Sequence, residues 1–144
     1  MERKKVSYFD ALPFEPSVLR EPEATYMVGK VREGLPLAEF YLIQQMLGIT
    51  EERLGAMVGL SRATLHRRKK AGRLEMAESD RLVRYARLVS HASEALGGMD
   101  SARSWLLAPA LAFQGETPLE YSDTEAGARE VEALLGRLEH GVFS

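Results

Sequence analysis

Residues 51–70 read EERLGAMVGLSRATLHRRKK, and this stretch decides the fold. Thr50 stands just before it in the position of a helix N-cap, and two glutamates follow in the first turn, where carboxylates are favoured. Ser61 is a second N-cap after Gly59, and it begins a basic helix that Gly72 would end. Two short helices joined by a turn that contains glycine are typical of a helix-turn-helix.

Two glycines meet the steric needs of such a pair. Gly55 is small where the helices would touch, and Gly59 tolerates the positive φ that the turn needs. The apolar residues expected on the shared face are Leu54, Val58, Leu60 and Leu65. An ordinary helical hairpin with a basic face is the alternative, but the spacing, both glycines and the serine cap favour DNA binding.

The helix after Ser61 would lie in the major groove and present its N-terminal half to base edges. The residues predicted to reach base edges there are Arg62, Ala63, Thr64, His66 and Arg67, and Ser61 belongs to the DNA-binding set as the cap of the helix. Those predicted to contact phosphates are Arg68, Lys69, Lys70 and Arg73. Glu51 departs from many such motifs, which carry Gln at their first position, and a carboxylate there would repel phosphate.

The charge distribution supports a polyanion-binding middle segment. Residues 50–92 carry ten basic and five acidic side chains, net +5, whereas residues 93–144 carry three basic and nine acidic, net −6. The basic groups concentrate in residues 62–73, which hold no acidic residue. Such a block suggests DNA as one partner and a different partner for the acidic C-terminal part, although a solvated helix face explains a charge run taken alone.

Composition excludes several classes of protein. With 144 residues, the chain fits one compact domain or two small ones. The absence of cysteine excludes disulfide frameworks, Cys-based zinc sites and Cys nucleophiles. No apolar region follows the basic N-terminus, and no run reaches the roughly 18 apolar residues of a membrane span, so we expect a cytoplasmic protein without membrane contact.

Helical periodicity extends to both sides of the motif. Before it, Pro36 would begin and Gly48 would end an apolar helix, and after it a long helix is predicted over about 77–96. Residues 1–34 contain prolines and glycines with weak periodicity, which predicts an arm with a short strand or helix near 26–31. No segment shows the alternation of apolar and polar residues that is typical of a β-strand. The predicted fold class is all-α, with six or seven helices.

The C-terminal part contains further helix signals. Asp100 or Ser101 would cap a helix that stops near Pro109. Thr117-Pro118-Leu119-Glu120 has the arrangement of a capping box, and Ser122 with Glu125 offers a second one. The last helix is predicted to have an apolar face formed by Val131, Leu134, Leu135 and Leu138. His140 and Gly141 are the signals for its C-terminal end.

No pattern of catalytic or metal-binding residues is present. His66, His91 and His140 are far apart in sequence and follow no metal-ligand spacing, and no glycine-rich phosphate loop occurs. Surface charge explains the C-terminal carboxylates better than an acid and base pair. We therefore expect no enzyme activity, no metal and no cofactor.

From about Gly34 onward, roughly 110 of the 144 residues, the sequence resembles the Xre/MbcA/ParS antitoxins, the partners of RES-domain toxins. Residues 78–88 resemble the connecting helix of that family. The stretches that resemble its toxin-binding domain are Trp105-Leu106, Pro109-Ala110-Leu111, residues 115–120, Thr124-Glu125 with Gly127, and residues 134–141.

The N-terminal arm (residues 1–34) lies largely outside this resemblance. The resemblance implies an Xre-like helix-turn-helix domain with its connecting helix (35–98) and a small helical toxin-binding domain (99–144). It implies a non-enzymatic antitoxin that represses its own operon through double-stranded operator DNA and blocks the active site of an NAD-degrading RES toxin. The residues expected to bind the toxin are Arg137, Glu139, His140, Gly141, Val142, Phe143 and Ser144.

Three alternatives stay open at this stage. The chain is either this antitoxin or a free-standing regulator whose C-terminal helices dimerise or sense a ligand. Phe143 either enters the toxin or folds back onto its own domain near Leu138. A homodimer is expected because one recognition helix covers a single half-site. Its interface would use Trp105, Leu111, Phe113 and the 131–138 stripe, unless these residues form the core.

Overall fold

The structure, a computed structural model, describes residues 24–141. In this range the chain forms eight α-helices and one 3₁₀ turn, which confirms the all-α fold class. The helices are α1 (Ala24–Glu33), α2 (Leu37–Leu47), α3 (Glu51–Met57), α4 (Arg62–Ala71), α5 (Met76–Leu96), α6 (Met99–Leu106), α7 (Pro118–Tyr121) and α8 (Glu125–Glu139), and the 3₁₀ turn spans Leu111–Phe113.

The sequence signals located most of these helices. Pro36 precedes α2, Gly48 ends it in the left-handed region, and Thr50 and Ser61 cap α3 and α4 as expected. The eight α-helices are one more than the upper predicted number of seven. The additional helix is α1, which spans ten residues where a short strand or helix was expected.

Two predicted caps are wrong. Neither Asp100 nor Ser101 caps α6, because the helix already begins at Met99 after Gly98, which has a φ of 142°. Ser122 does not cap α8: it ends α7, and its hydroxyl donates to the Pro118 carbonyl at 2.8 Å. Thr124 takes the cap instead, and its Oγ1 accepts from the Gly127 N–H at 3.0 Å.

Helix α5 is the central element, and its apolar face contacts α1, α2, α6 and α8. The fully buried residues Leu82, Tyr85, Leu88 and Val89 lie on that face. They belong to one continuous core, which runs from Met27 in α1 to Leu135 in α8. The helix-turn-helix and the C-terminal helices therefore share a single framework.

A short crossing of two connecting segments fixes α4 against α2. The Leu37 N–H donates to the Gly72 carbonyl at 3.0 Å, and the Leu74 N–H donates to the Leu35 carbonyl at 2.9 Å. Gly34 has a φ of 90°, and a Cβ there would overlap the Leu74 carbonyl oxygen. The close approach therefore depends on glycine at this position.

Candidate functional site

The helix-turn-helix has the geometry that its sequence predicts. Thr50 Oγ1 accepts from the Arg53 N–H at 3.1 Å and Ser61 Oγ accepts from the Thr64 N–H at 3.2 Å, so both helices have side-chain caps. Gly59 turns the chain with a φ of 87°. A Cβ at Gly55 would lie 3.5–3.8 Å from atoms of Leu60 and Leu65, which is ordinary van der Waals distance, so the helix contact does not by itself require glycine there. The four apolar residues predicted for the shared face are all buried: Leu54, Val58, Leu60 and Leu65.

The N-terminal half of α4 presents a polar, basic surface to solvent. Ser61, Arg62, His66 and Arg67 are exposed, while Thr64 is half-buried. The Thr64 hydroxyl oxygen accepts hydrogen bonds from Ser61 Oγ at 2.9 Å and from Arg67 Nη2 at 3.1 Å. Thr64 thus orients Arg67 on the exposed face before any ligand binds.

Arg68, four residues after Thr64 in the same helix, is held in an ion pair with α5. Its Nε and Nη2 donate to the two carboxylate oxygens of Glu78 at 2.8 and 2.9 Å, and Nη2 also lies 3.1 Å from Glu75. The side chains of Arg68 and Glu78 are only 15% and 10% exposed. This guanidinium connects α4 to α5. A phosphate contact of Arg68, as predicted from the sequence, would have to compete with these two carboxylates.

The electrostatics of this pair agree with its geometry. The hydrogen bond with Glu78 raises the pKa of Arg68 above its ordinary value. Burial alone would raise the pKa of Glu78, but hydrogen bonds from Arg68 and from the Glu75 N–H, with the charges of Arg68 and Arg81, lower it overall. Both groups are therefore charged at neutral pH.

Two more predicted phosphate ligands already have protein partners. Lys69 Nζ pairs with Glu51 at the start of α3, and the hydrogen bond with that carboxylate raises the pKa of Lys69. Arg73 donates to the Gly34 carbonyl. The ion pair with Lys69 also compensates the negative charge of Glu51, which would otherwise repel phosphate at the first position of the motif.

Three arginines of α5 hold the two halves of the chain together. Arg81 Nη1 donates to the Val58 carbonyl at 3.2 Å, next to the turn of the helix-turn-helix. Arg84 donates to Glu125 at 3.2 Å and to the Asp123 carbonyl at 3.1 Å, and Arg87 donates to Glu125 at 3.2 Å. In the sequence these arginines are three of the ten basic side chains of residues 50–92, outside the concentrated segment 62–73. Their spacing along a predicted helix was visible, but their partners were not.

The C-terminal half contains a rigid loop between α6 and α7. Thr117 and Glu120 form the predicted capping box, with reciprocal hydrogen bonds of 3.0 and 3.1 Å. Phe113 is buried and stacks on Tyr121 with ring centroids 4.8 Å apart. Leu111, the first residue of the 3₁₀ turn, lies in solvent with 98% of its surface exposed. Of the two alternatives for Leu111, a place in the core is therefore wrong, and a place in a dimer interface stays a prediction.

The residues expected to bind a toxin lie at and beyond the end of α8. Arg137, Glu139, His140 and Gly141 are exposed, and Glu139 Oε1 lies 4.0 Å from Nε2 of His91. The remaining expected residues, Val142, Phe143 and Ser144, lie outside the described residues. Whether Phe143 enters the toxin or packs on its own domain therefore stays a prediction.

Much of the apolar set proposed for a dimer interface is core. Phe113, Val131 and Leu135 are buried, while Trp105, Leu134 and Leu138 are partly buried against the same core. These side chains are covered by the chain itself because α8 packs against α5 along its length. Leu111 alone of that set is fully exposed.

In residues 24–141 the structure has no group of three His, Cys, Asp or Glu side chains placed to hold a metal ion. Within the same range no helix has both the length and the apolar character that crossing a bilayer requires. His66 is exposed on α4, and Nδ1 of His91 lies 3.8 Å from Glu132.

Comparison with known proteins matches both halves of the chain. Residues 27–87 match the antitoxin Xre-like helix-turn-helix domain, and residues 91–141 match the antitoxin Xre/MbcA/ParS C-terminal toxin-binding domain. The chain is similar to Antitoxin Xre of Yersinia enterocolitica serotype O:8 / biotype 1B, with 33% identity over 83% of this chain and 82% of that protein. Antitoxin Xre of Photorhabdus laumondii subsp. laumondii is 32% identical over 79% of this chain and 78% of its own length.

Antitoxins of this family are not catalytic, in agreement with the expectation of a non-enzymatic protein. Together, the capped helix-turn-helix, the acidic helical C-terminal half and these two matches show that the chain belongs to the Xre/MbcA/ParS antitoxin family.

Proposed function

We propose that this chain neutralises a RES-domain toxin that degrades NAD, by blocking the active site of the toxin, and that it represses its own operon in the cytoplasm. Its exposed basic helix α4, joined through α5 to a half that matches a toxin-binding domain, is the observation that carries the proposal. Residues 35–98 would bind DNA and residues 99–144 the toxin.

The DNA-binding surface consists of the free groups on α4. Arg62, Thr64, His66 and Arg67 would face the bases, because they lie in the N-terminal half of the helix that Ser61 caps. Lys70 would contact phosphate, since it is exposed at the end of the helix. Arg68 pairs with Glu78, Lys69 with Glu51 and Arg73 with the Gly34 carbonyl, so a phosphate would compete with these partners for the predicted contacts.

The toxin-blocking segment would begin at the end of α8. Arg137, Glu139, His140 and Gly141 are exposed there and continue into Val142, Phe143 and Ser144. The nine acidic and three basic residues of 93–144 suit a protein partner better than DNA. An apolar anchor next to charged groups is the usual composition of an interface hot spot.

A homodimer would place two α4 helices on the half-sites of one operator, about 34–36 Å apart. Light scattering on the free chain should therefore give twice the monomer mass at micromolar concentration. A monomer that still binds its operator with full affinity would contradict the dimer.

The test of the whole proposal is coexpression with the product of the neighbouring gene, which we expect to be a RES-domain protein. We expect the two proteins to copurify, cellular NAD to be preserved, and the complex or the free antitoxin to retard DNA from its own promoter. If the chain binds that DNA but neither copurifies with the toxin nor preserves NAD, it is a free-standing regulator instead.

A further inference from the structure

The loop between α6 and α7 exposes an unusual run of apolar residues. Residues 105–113 read WLLAPALAF and contain no polar side chain. Leu106 and Phe113 enter the core, but the middle of the run returns to solvent. The exposed members are Ala108, Pro109, Leu111 and Ala112, and we call this set the apolar loop.

Leu111 is the outermost point of the apolar loop. It is 98% exposed, whereas the next most exposed large apolar side chains of the described residues are Met76 at 56% and Val28 at 50%. A leucine so completely hydrated has no packing role in the free chain. An aliphatic side chain in that state is favoured to enter an apolar pocket on a partner.

The backbone holds the apolar loop in place, so Leu111 has no route into its own core. The Ala110 N–H donates to the Glu116 carbonyl at 3.0 Å, and the Gly115 N–H donates to the Ala110 carbonyl at 3.0 Å. Gln114 takes a positive φ of 59° to close the turn. The buried ring of Phe113 fixes the C-terminal side by stacking on Tyr121.

We infer that Leu111 is an anchor that inserts into an apolar pocket on the toxin, as a second contact separate from the end of α8. This inference rests on the proposed function, because it takes the toxin as the partner. The toxin is favoured over a second copy since Leu111 lies inside the stretch, residues 91–141, that matches a toxin-binding domain. A preorganised anchor binds with little loss of conformational entropy, which suits the rigid loop.

The charge around the apolar loop indicates the kind of pocket that fits it. Glu116 is exposed, and its backbone pairs with Ala110 at the base of the loop. The whole segment 93–144 has a net charge of −6. The expected binding site on the toxin is therefore an apolar pocket with basic side chains at its rim.

The test compares Leu111→Ser with Met76→Ser, a matched control that removes a half-exposed apolar side chain from the DNA-binding half. Affinity for the purified product of the neighbouring gene, which we expect to be a RES-domain toxin, should fall about 30-fold or more for Leu111→Ser, the scale of a hot spot. Met76→Ser should bind the toxin like the wild type. Thermal unfolding, operator binding and the mass of the free antitoxin should not change in Leu111→Ser.

A labelling experiment tests the same contact directly. The chain has no cysteine, so Leu111→Cys and Met76→Cys each provide a unique thiol for an environment-sensitive fluorophore. Addition of the toxin should shift the emission of the label at position 111 to the blue and leave the label at 76 unchanged.

Three outcomes would overturn the inference. Equal toxin affinity of Leu111→Ser and wild type would show that Leu111 makes no contact there. A loss of affinity that accompanies a change in the mass of the free antitoxin would place Leu111 between two copies. If the wild-type chain binds no toxin, the proposed function itself fails, whereas equal binding of Leu111→Ser and wild type overturns this inference alone.

Discussion

Individual side chains divide the basic segment 62–73 into two groups. Arg62, His66, Arg67 and Lys70 are exposed, while Arg68 is held by two carboxylates. A cation that already has a buried anionic partner gains little from phosphate, because it must first break that pair. The net charge of the segment therefore overstates the charge that is available to DNA.

At the residue scale, Arg67 and Lys70 should behave differently on DNA. Arg67→Ala should weaken binding to the operator by about 1–3 kcal/mol and leave binding to random DNA nearly unchanged, since a base contact is lost. Lys70→Ala should weaken binding to both DNAs alike and reduce the slope of log affinity against log salt by about 1. Binding isotherms on both DNAs across salt concentrations measure this. An equal effect of Arg67→Ala on operator and random DNA would assign Arg67 to phosphate.

Arg68→Ala should destabilise the fold, because it leaves the buried carboxylate of Glu78 without its charged partner. The expected loss in the free energy of unfolding is about 2 kcal/mol, measured by denaturant titration at neutral pH. Lys70→Ala is the control on the same helix: its side chain is exposed, and the change should stay within about 0.5 kcal/mol.

The contribution of Glu78 should also depend on pH. Its pKa is lowered in the folded state, so its stabilisation is present above the unfolded pKa of about 4.3 and is lost as pH falls through the lower folded pKa. The stability difference between wild type and Glu78→Gln should therefore be largest near neutral pH and shrink below about pH 4. A difference that stays constant from pH 7 to pH 3 would contradict this assignment.

At the scale of elements, two glycines of α8 differ in their surroundings. A Cβ at Gly127 would overlap the Tyr121 carbonyl oxygen, where α7 approaches the first turn of α8. A Cβ at Gly136 would have no neighbouring atom within 4 Å. The same residue type thus permits a close helix contact at one position and only weakens the helix at the other.

Gly127→Ala should lower the free energy of unfolding by about 1–3 kcal/mol, because α7 and α8 must separate. Gly136→Ala should raise it by about 0.5–1 kcal/mol, because alanine is the better residue inside a helix. Thermal or denaturant unfolding of the two variants measures both effects. If both variants are stabilised, α7 does not lie as close to α8 as described.

At the scale of the whole molecule, α5 supports both functional halves. Arg81 contacts the carbonyl of Val58 near the helix-turn-helix, and Arg84 contacts Glu125 at the start of α8. Since these contacts come from one 21-residue helix, the orientation of α4 is fixed relative to the toxin-binding half. The end of α8 lies beside α5, where Glu139 Oε1 is 4.0 Å from Nε2 of His91.

Removal of residues 141–144 should separate toxin blocking from the other properties. The truncated protein should keep its melting temperature and its operator binding, because the core ends at Leu135 with Leu138 packed against it. It should nevertheless fail to protect cells from the coexpressed toxin. Full protection would refute the blocking role of this segment, and a large fall in melting temperature would favour packing of Phe143 on its own domain.

The sequence by itself determined where most helices begin and end and where the helix-turn-helix lies. Caps such as Thr50, Ser61 and Thr117 act on N–H groups three residues away, so their effect is local and can be predicted from spacing. Only the tertiary structure decided that Arg68 is paired and that Leu111 is exposed. The Glu78 partner lies on another helix, and the exposure of Leu111 depends on how Phe113 packs against Tyr121, so neither outcome is encoded in neighbouring residues.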